Sequence, residues 1–576
     1  MSQTKDNWRW CLVLCLVAAF IYGLLGLQTG FQGDWVVQDD ARQHVFWMER
    51  YLDPELFPND LIADYFQAVA PLGYTSVYKL GTLLGIDPLI FNKLIPVALR
   101  LVITAYFFGF CRQIFPIPFG CTIATLLLNH NIWLKDDIVS ATPRAFLYPF
   151  LVAFLYYFSK KSLLPCLVSI LLLGLFYPQM IFIASGVLVL SLNEWRGFVP
   201  RLTGDRQTRI FSLVGLVVAF FVLLPYAISS SDYAPVISRA QALTMAEFHY
   251  GGRSNFFKKS FWDYTVGRGN GVLIPTSLFN PIILIFSLFL PWLISQRQKF
   301  PLVNKITDQI DLVSKLLWAS LGMNLIAHIF LFRLHLPSRY TAHSLRIVIA
   351  IATGISITIV LDYLLKVIET KFKPVLGKIL ACGLILAIAL LTYSSFLDSS
   401  SPTGYKIGNY PELYKFFEQQ PKTTVIASLT READNLPTFT KRSVLVSREY
   451  AIPYQLGYYK PFSEKVRALI TAQYSQDLAV VQKVIHDYQI SHWLIEEASF
   501  DLESVEKNRW LKQYQPEHET ALANLGISAT QIKPIVIKTA TSCQSFSVAQ
   551  FKVIDAQCIL KSDNSSSENN LASINH

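Results

Sequence analysis

The first apolar run of the chain is WCLVLCLVAAFIYGLLGL, residues 10–27. It contains no charged residue and has the length that a helix needs to cross a hydrocarbon core of about 30 Å. Lys5 and Arg9 precede it, and basic residues mark the cytoplasmic end of a first span. No small-residue cleavage site follows cleanly, which favours a retained span over a removed signal peptide. The sequence therefore predicts a membrane protein with a cytoplasmic N-terminus.

The composition of the whole chain supports this class. Of its 576 residues, 52% are hydrophobic and 16% are charged, whereas soluble domains carry about 25% charged residues. The apolar excess lies in blocks that end near residue 396. The net charge of +10 comes largely from Lys and Arg in short loops, where they set topology, so nucleic-acid binding is not expected.

Alternation of the charged loops predicts a polytopic α-helical protein of the plasma (inner) membrane with about 11 spans. Residues 71–85 are apolar but short and carry Lys79. If they crossed the membrane, every later loop would change sides, so we predict a helix lying at the outer surface. The predicted spans are about 10–27, 90–111, 117–134, 146–158, a hairpin of spans 5 and 6 turning at 177–179, 210–230, 272–295, 311–332, 347–365 and 379–396.

This topology divides the chain into residues 1–400, a membrane domain with long outer loops at 28–88 and 231–271, and an extracytoplasmic α/β domain at 401–560. The tail, 561–576, is rich in Ser and Asn and is predicted to be disordered. Cys543 and Cys558 of the outer domain can pair in an oxidising compartment. Predicted strands lie at 424–428, 442–447, 492–495 and 535–537.

Polar and aromatic residues of the outer domain allow two interpretations. The stretch from Pro453 to Tyr459 is rich in tyrosine, and such surfaces bind sugars and peptides. A surface that packs against the membrane domain would have the same composition. The charged residues open to both interpretations are Glu432, Asp434, Arg442, Arg448 and Glu449.

The strongest candidate site is the acidic pair Asp39 and Asp40, which follows span 1 on the predicted outer face with Arg42 and His44 beside it. Adjacent carboxylates repel each other and are tolerated in water, or where a cation or a proton is shared. A solvated polar loop would hold the same pair, so spacing alone leaves both interpretations open.

A second acidic pair, Asp136 and Asp137, follows span 3 on the same predicted face. Two pairs from separate loops can converge on one site, and hard carboxylate oxygens suit Mg²⁺ or Mn²⁺. Arg144 lies just before span 4 and offers a structural alternative, in which it pairs with these acids.

The loop RLHLPSRYTAHSLR, residues 333–346, is basic although it is predicted to lie outside. It has three arginines and two histidines without an acid, against the positive-inside pattern. Arginine forks bind phosphate in a bidentate manner, so a lipid-linked phosphate is one fitting partner. Anionic lipid headgroups would use the same charges.

A long first outer loop opening with an acidic pair, an acidic second outer loop, about 11 spans and an outer α/β domain occur together in this chain. In architecture this resembles the GT-C superfamily of membrane glycosyltransferases, which includes protein O-mannosyltransferases, oligosaccharyltransferases and aminoarabinose transferases. The resemblance covers almost the whole chain. It implies transfer of a sugar from a polyprenyl-phosphate-linked donor to a glycan, lipid or protein acceptor at the outer face of the lipid membrane.

The resemblance also implies residue roles. An aspartate of the first outer loop acts as general base or positions the acceptor, which makes Asp39, ahead of Asp40, the catalytic candidate. Acids of the second loop bind a divalent metal in some members, matching Asp136 and Asp137, while other members work without it. Arginines near the later outer loops hold the donor phosphate. The residues expected to bind phosphate or substrate are Arg339, Arg346, His343, Arg333, Arg42 and His44.

The outer domain lacks the WWD-type signature of the oligosaccharyltransferases, which argues against N-glycosylation by their mechanism. Two other functions remain open: a transporter or flippase for a lipid or glycan, and a non-catalytic scaffold for envelope assembly. Transporters place ionisable groups within spans and often have repeated halves. Here the spans are nearly free of charge and no repeat is visible, which favours chemistry at the surface.

Overall fold

The computed structural model describes residues 5–196, 199–228, 232–257, 260, 279–393, 403–528 and 533–562. Helices dominate up to residue 393, and a mixed sheet with flanking helices follows. The predicted disordered tail after residue 562 and the first part of span 8 lie outside the described residues.

A helix occupies each position predicted as a span. Among the described residues, six helices are long and apolar enough to cross a membrane, which makes the chain a multi-pass membrane protein by length and composition. The helices of spans 3 to 6 have 13–16 residues, about 20–24 Å at 1.5 Å per residue, which is less than the hydrocarbon thickness. The helices are Lys5–Gly30, Pro88–Ile114, Pro118–Trp133, Leu147–Ser159, Leu163–Phe176, Gln179–Ser191, Arg206–Ile228, the 3₁₀ helix Ile282–Phe289 continuing as Leu290–Ser295, Ile310–Ile329, Ser344–Lys371 and Pro374–Tyr393.

The helix Ser344–Lys371 lies at the centre of the membrane domain. Nearly all of its residues up to Leu361 are buried, and it packs along Pro118–Trp133. A Cβ at Gly354 would lie 2.6 Å from the Cβ of Ala124, so only glycine permits this helix crossing. Small residues at such crossings let helix backbones approach closely in membranes.

The first outer loop folds into short helices that rest on the membrane domain. The helix Leu72–Leu83 agrees with the helix predicted within 71–85, and its Tyr74 and Tyr78 are fully buried. The Tyr78 hydroxyl donates to the carbonyl of Ala141 at 3.0 Å, which ties this helix to the second outer loop. The other helices of the loop are Ala41–His44, the 3₁₀ helix Phe46–Tyr51 and Leu61–Ala68.

The C-terminal domain, which is predicted to lie outside and is called the outer domain, contains a five-stranded sheet. Its order is β6 (Ser443–Val444), β5 (Val425–Ala427), β7 (His492–Glu496), β9 (Phe551–Asp555) and β8 (Gln544–Val548). The sheet is parallel across β6, β5 and β7 and antiparallel across β7, β9 and β8. Three predicted strands correspond to β5, β6 and β7. The strands of the chain are β1 (Val36–Gln38), β2 (Asn193–Arg196), β3 (Val199–Leu202), β4 (Tyr405–Ile407), β5 (Val425–Ala427), β6 (Ser443–Val444), β7 (His492–Glu496), β8 (Gln544–Val548) and β9 (Phe551–Asp555).

The strand predicted at 535–537 is wrong, because Ile535–Lys538 is a helical turn. Three apolar residues do not distinguish a strand from a helix, and Pro534 directly before them suits a helix start. The sheet is completed instead by β8 and β9. A disulfide joins Cys543 to Cys558 across this hairpin, with 5.5 Å between the two Cα atoms, so the pairing suggested by the sequence is present. The helices of the domain are Pro411–Glu418, Leu436–Thr440, Leu456–Gln473, Leu478–Asp487, Leu502–Lys507, Glu517–Ser528, Ile535–Lys538 and Ala556–Leu560.

The outer domain is docked on the first outer loop. Strand β4 pairs with β1 in antiparallel register, Val36 opposite Ile407. The ring of Tyr458 stacks on that of Tyr65, with 3.8 Å between centroids and 10° between planes. Tyr458 and Tyr459 are buried, which supports the packing interpretation of the aromatic run.

We expect Tyr458→Ala to weaken this docking, because truncation of a buried aromatic ring costs about 3–5 kcal/mol. The measurement is the thermal unfolding midpoint of the purified chain in detergent. Leu502→Ala is the control, since Leu502 is 44% exposed and exposed substitutions stay within about 0.5 kcal/mol. Equal midpoints for the two variants would contradict the docking role.

Candidate functional site

The two acids of the first loop turn toward different partners. Strand β1 ends at Gln38, whose side-chain oxygen accepts from the Asp40 N–H at 2.8 Å. The Asp39 N–H donates to the Gly404 carbonyl at 3.0 Å. The Asp39 carboxylate pairs with Arg42, one helical turn ahead, whereas the Asp40 carboxylate pairs with Arg144 of the second outer loop. Of the two adjacent aspartates after β1, only Asp40 therefore forms an ion pair with the second loop.

Arg144 brings three carboxylates together. One of its terminal nitrogens, Nη2, contacts Asp40 and lies 2.9 Å from Asp136 Oδ2. The other, Nη1, lies 3.6 Å from Asp137 Oδ1. We call Asp40, Asp136, Asp137 and Arg144 the acid–arginine cluster. The predicted convergence of the two acidic pairs is realised through Asp40, and the suggested pairing of Arg144 with the acids is present.

The buried side of the cluster is built by Tyr148 and by His343 of the basic loop 333–346. Asp137 Oδ2 accepts from the Tyr148 hydroxyl at 3.3 Å and lies 3.4 Å from His343 Nδ1. Tyr148 and His343 also contact each other at 3.1 Å. The Nε2 atom of His343 is buried without a hydrogen-bond partner among the described residues. His343 thus links the loop 333–346 to the acid–arginine cluster.

The surroundings shift the pKa values of the two second-loop carboxyls, Asp136 and Asp137, in opposite directions. Burial raises the pKa of Asp136, Arg144 opposes the rise, and the neighbouring Asp40 and Asp137 add to it. Burial acts in the same direction on Asp137, but His343 and Arg144 outweigh it and hold the pKa of Asp137 well below its usual range. Burial disfavours the charge of Arg144, yet the three acids raise its pKa overall. Asp137 and Arg144 are therefore charged at neutral pH.

Arg339 lies close to the first loop. It belongs to the short helix Ser338–Ala342, and its Nε atom is buried without a hydrogen-bond partner in the described part of the chain. Burial lowers the pKa of His44 to about 4, against the effect of Asp40, and the charges of Arg144 and Arg339 lower it further. His44 is therefore neutral at pH 7, and the positive charge of Arg339 acts on the same region as Arg144.

Three other arginines that the sequence proposes as phosphate or substrate ligands, Arg333, Arg346 and Arg42, lie outside the acid–arginine cluster. Arg333 is exposed, and Arg346 is buried, with Nη1 donating to the Asn131 carbonyl at 3.0 Å. Arg42 is buried 3.3 Å from Glu449 Oε2 and donates to Asn435 Oδ1 at 2.9 Å. The structure thus places Asp40, Asp136, Asp137 and His343 together with Arg339 nearby, while Arg42 and Asp39 join a second network toward the outer domain.

Sequence reasoning did not find Tyr148 or Asn131 and gave Glu449 no specific role. Tyr148 lies within an apolar run and Asn131 in a helix, where neither has a signal of its own. Glu449 lies 2.8 Å from Arg253 and 3.3 Å from Arg42, from two distant segments. Residue spacing contains no information on such long-range pairs.

Among the described residues, no group of three or more His, Cys, Asp or Glu side chains is arranged to hold a metal ion. The acids predicted as metal ligands, Asp136 and Asp137, instead contact Arg144.

The fold is similar to that of solved membrane enzymes. The apo oligosaccharyltransferase of Archaeoglobus fulgidus matches with a TM-score of 0.55 and 12% identity, over 89% of this chain and 72% of that one. The chain has the GT-C fold. The same enzyme in complex with zinc and sulfate matches with a TM-score of 0.52 and 12% identity, over 88% and 70%.

A third match is the archaeal oligosaccharyltransferase AglB of A. fulgidus with an inhibitory peptide and a dolichol-phosphate, with a TM-score of 0.49 and 13% identity, over 90% and 72%. No family model and no curated protein sequence matches the chain. The two matches with TM-scores of 0.55 and 0.52 confirm, at the level of the GT-C fold, the resemblance drawn from the sequence.

We expect Asp137→Asn to destabilise this GT-C fold by about 3 kcal/mol, because it breaks the buried ion pair between Asp137 and Arg144. The folded-state pKa of Asp137 is depressed, so its stabilisation is complete above the unfolded value of about 3.9 and is lost as pH falls below it. The difference in unfolding midpoint from the wild type should therefore be full at pH 6 and shrink below about pH 4.

The midpoints are measured in detergent between pH 3 and pH 8. Asp64→Asn serves as the control, since Asp64 pairs with Arg50 at a half-exposed position and such pairs contribute about 0–1 kcal/mol. A difference for Asp137→Asn that stays constant down to pH 3 would contradict the assigned charge state.

Proposed function

We propose that the chain is a glycosyltransferase that moves a sugar from a polyprenyl-phosphate donor to an acceptor at the outer face of the membrane. The observation that carries the proposal is the meeting of an acid of the first outer loop, two acids of the second and a histidine of the loop 333–346 around Arg144, in a chain with the GT-C fold. Groups that act on one reacting centre must be held together in this way.

Asp40 is the residue proposed to act as base toward the acceptor. Its side chain is 30% exposed, so an acceptor can reach it, while its contact with Arg144 orients the carboxylate. General-base catalysis requires hydrogen-bond reach to the acceptor proton. Asp39 pairs with Arg42 outside the acid–arginine cluster, so this proposal prefers Asp40 to Asp39, the opposite of the order that the sequence suggested.

Arg339 and His343 are proposed to hold the phosphate of the donor. Both have a buried ring or guanidinium nitrogen without a hydrogen-bond partner among the described residues. The leaving phosphate gains negative charge as the sugar departs, and fixed donors aimed at that charge stabilise the transition state. Arg346 already donates to the carbonyls of Asn131 and Ala342. Its proposed role is therefore structural, with its positive charge stabilising the Asp137 carboxylate.

A metal-assisted form of the reaction does not fit the side chains present. Asp40, Asp136 and Asp137 all contact Arg144. No step of the proposed reaction runs through a metal.

The rival transporter function rests on charges within spans. The sequence interpretation passed over one such charge, Arg100, which is fully buried in the helix Pro88–Ile114. Its guanidinium lies 5.7 Å from the ring centroid of Tyr22 and 5.2 Å from that of Trp133. These cation–π contacts stabilise the enclosed charge, although the three guanidinium nitrogens are buried without a hydrogen-bond partner among the described residues. Arg100 alone, in a sequence without repeated halves, does not define a transport path.

We expect Asp40→Asn to reduce transfer at least about 10²-fold, the usual contribution of a general base. Membranes containing the full-length chain are incubated with labelled polyprenyl-phosphate sugars, and the label leaving the lipid fraction is measured. Asp205→Asn is the control, because Asp205 pairs with Lys161 in a different loop. Unchanged transfer in Asp40→Asn and in Asp39→Asn, with normal expression, would refute the function.

We expect Arg339→Ala to weaken binding of polyprenyl phosphate about 10–100-fold, since a hydrogen bond to a charged group contributes about 1.5–3 kcal/mol. Arg333→Ala is the matched control in the same loop, because Arg333 is exposed. Binding is measured with the purified chain in neutral-lipid nanodiscs. Equal losses in the two variants would indicate general attraction to anionic headgroups instead of a phosphate site.

A further inference from the structure

Arg144 lies between three carboxylates, where a positive charge is needed to offset their mutual repulsion. Two outer loops supply three carboxylates to this one guanidinium. Carboxylates gathered in this way repel each other unless a positive charge lies between them. A divalent metal, a basic side chain or a shared proton satisfies this requirement, and here an arginine is present.

The backbone around Arg144 is held in place from several sides. The Asn92 side chain donates to the Ser140 carbonyl at 2.8 Å, and the Tyr78 hydroxyl donates to the Ala141 carbonyl. The Ser140 and Thr142 hydroxyls contact each other at 2.9 Å. The 3₁₀ turn Pro143–Ala145 follows directly. The backbone that carries Arg144 is therefore held in place, and its side chain, only 16% exposed, is held by the three acids.

We propose that Arg144 takes the place of a divalent cation, so that the site works with a built-in positive charge and binds no metal. This inference rests on the proposed function, which it deepens by assigning the cation of the site. Arginine stays charged at all physiological pH values and donates in a fixed fork. The Nε atom of Arg144 is buried without a hydrogen-bond partner among the described residues, which leaves a donor for a ligand oxygen.

A purely structural ion pair would have the same contacts, so the test must separate the two roles. If the acids form a cation site that Arg144 fills, its removal creates a metal site. Carboxylates of Asp40, Asp136 and Asp137 are then free to bind Mn²⁺, which prefers hard oxygen ligands. If Arg144 is only a structural pair, its removal leaves acids that do not bind a metal together.

The experiment titrates the purified full-length chain with MnCl₂ alone and follows free Mn²⁺ by electron paramagnetic resonance. We expect no stoichiometric binding to the wild type and one bound Mn²⁺ per chain in Arg144→Gln. The double variant Arg144→Gln with Asp136→Asn should bind at least tenfold more weakly than Arg144→Gln. Arg144→Met provides a second removal of the charge if Arg144→Gln does not fold, as judged by size-exclusion chromatography.

Binding of one Mn²⁺ by the wild type that is lost in Asp136→Asn would overturn the inference, and so would absence of binding in the folded Arg144 variant. Because the readout is metal binding, it is independent of transfer. A chain that binds Mn²⁺ and transfers sugar would refute this inference alone. A chain that gains Mn²⁺ binding in Arg144→Gln but never transfers sugar would refute the proposed function alone.

Discussion

The ion pairs of Arg144 join the parts of the membrane domain that carry chemistry. Asp40 comes from the first outer loop, Asp136 and Asp137 from the second, and His343 from the start of the helix Ser344–Lys371. The second loop would not hold the Asp137 carboxylate in a buried position by itself, because an unpaired buried charge is costly. The mutual compensation of charge therefore positions the loops as well as the reactive groups.

A second set of contacts orients the outer domain over this site. The pairing of β1 with β4 and the stacking of Tyr65 on Tyr458 fix the domain to the first loop. Glu449 adds ion pairs to Arg42 and Arg253. Since Asp39 pairs with Arg42, the two adjacent aspartates of the first loop belong to two networks, one directed toward the outer domain and one toward the membrane domain.

Most of the fold was predictable, because a bilayer leaves a long apolar segment few alternatives to a helix. All eleven predicted span positions are helical in the described residues, and the helix Leu72–Leu83 lies where a surface helix was expected. The strand prediction at 535–537 was wrong, because three apolar residues are too few to show the periodicity that distinguishes a strand from a helix. Strands β8 and β9 were missed, since five-residue segments that mix apolar and polar residues do not stand out from loops.

The sequence by itself determined that this is a membrane protein with acidic pairs and a basic loop predicted on one face, because hydropathy and charge sign act locally along the chain. It also brought Arg144 into consideration as a partner of the acids. Only the tertiary structure decided that Asp40 and not Asp39 reaches Arg144, and that Arg339 and not the exposed Arg333 lies near the cluster. These choices depend on contacts between residues about a hundred or more positions apart, and the direction of a side chain across such a distance is set by packing.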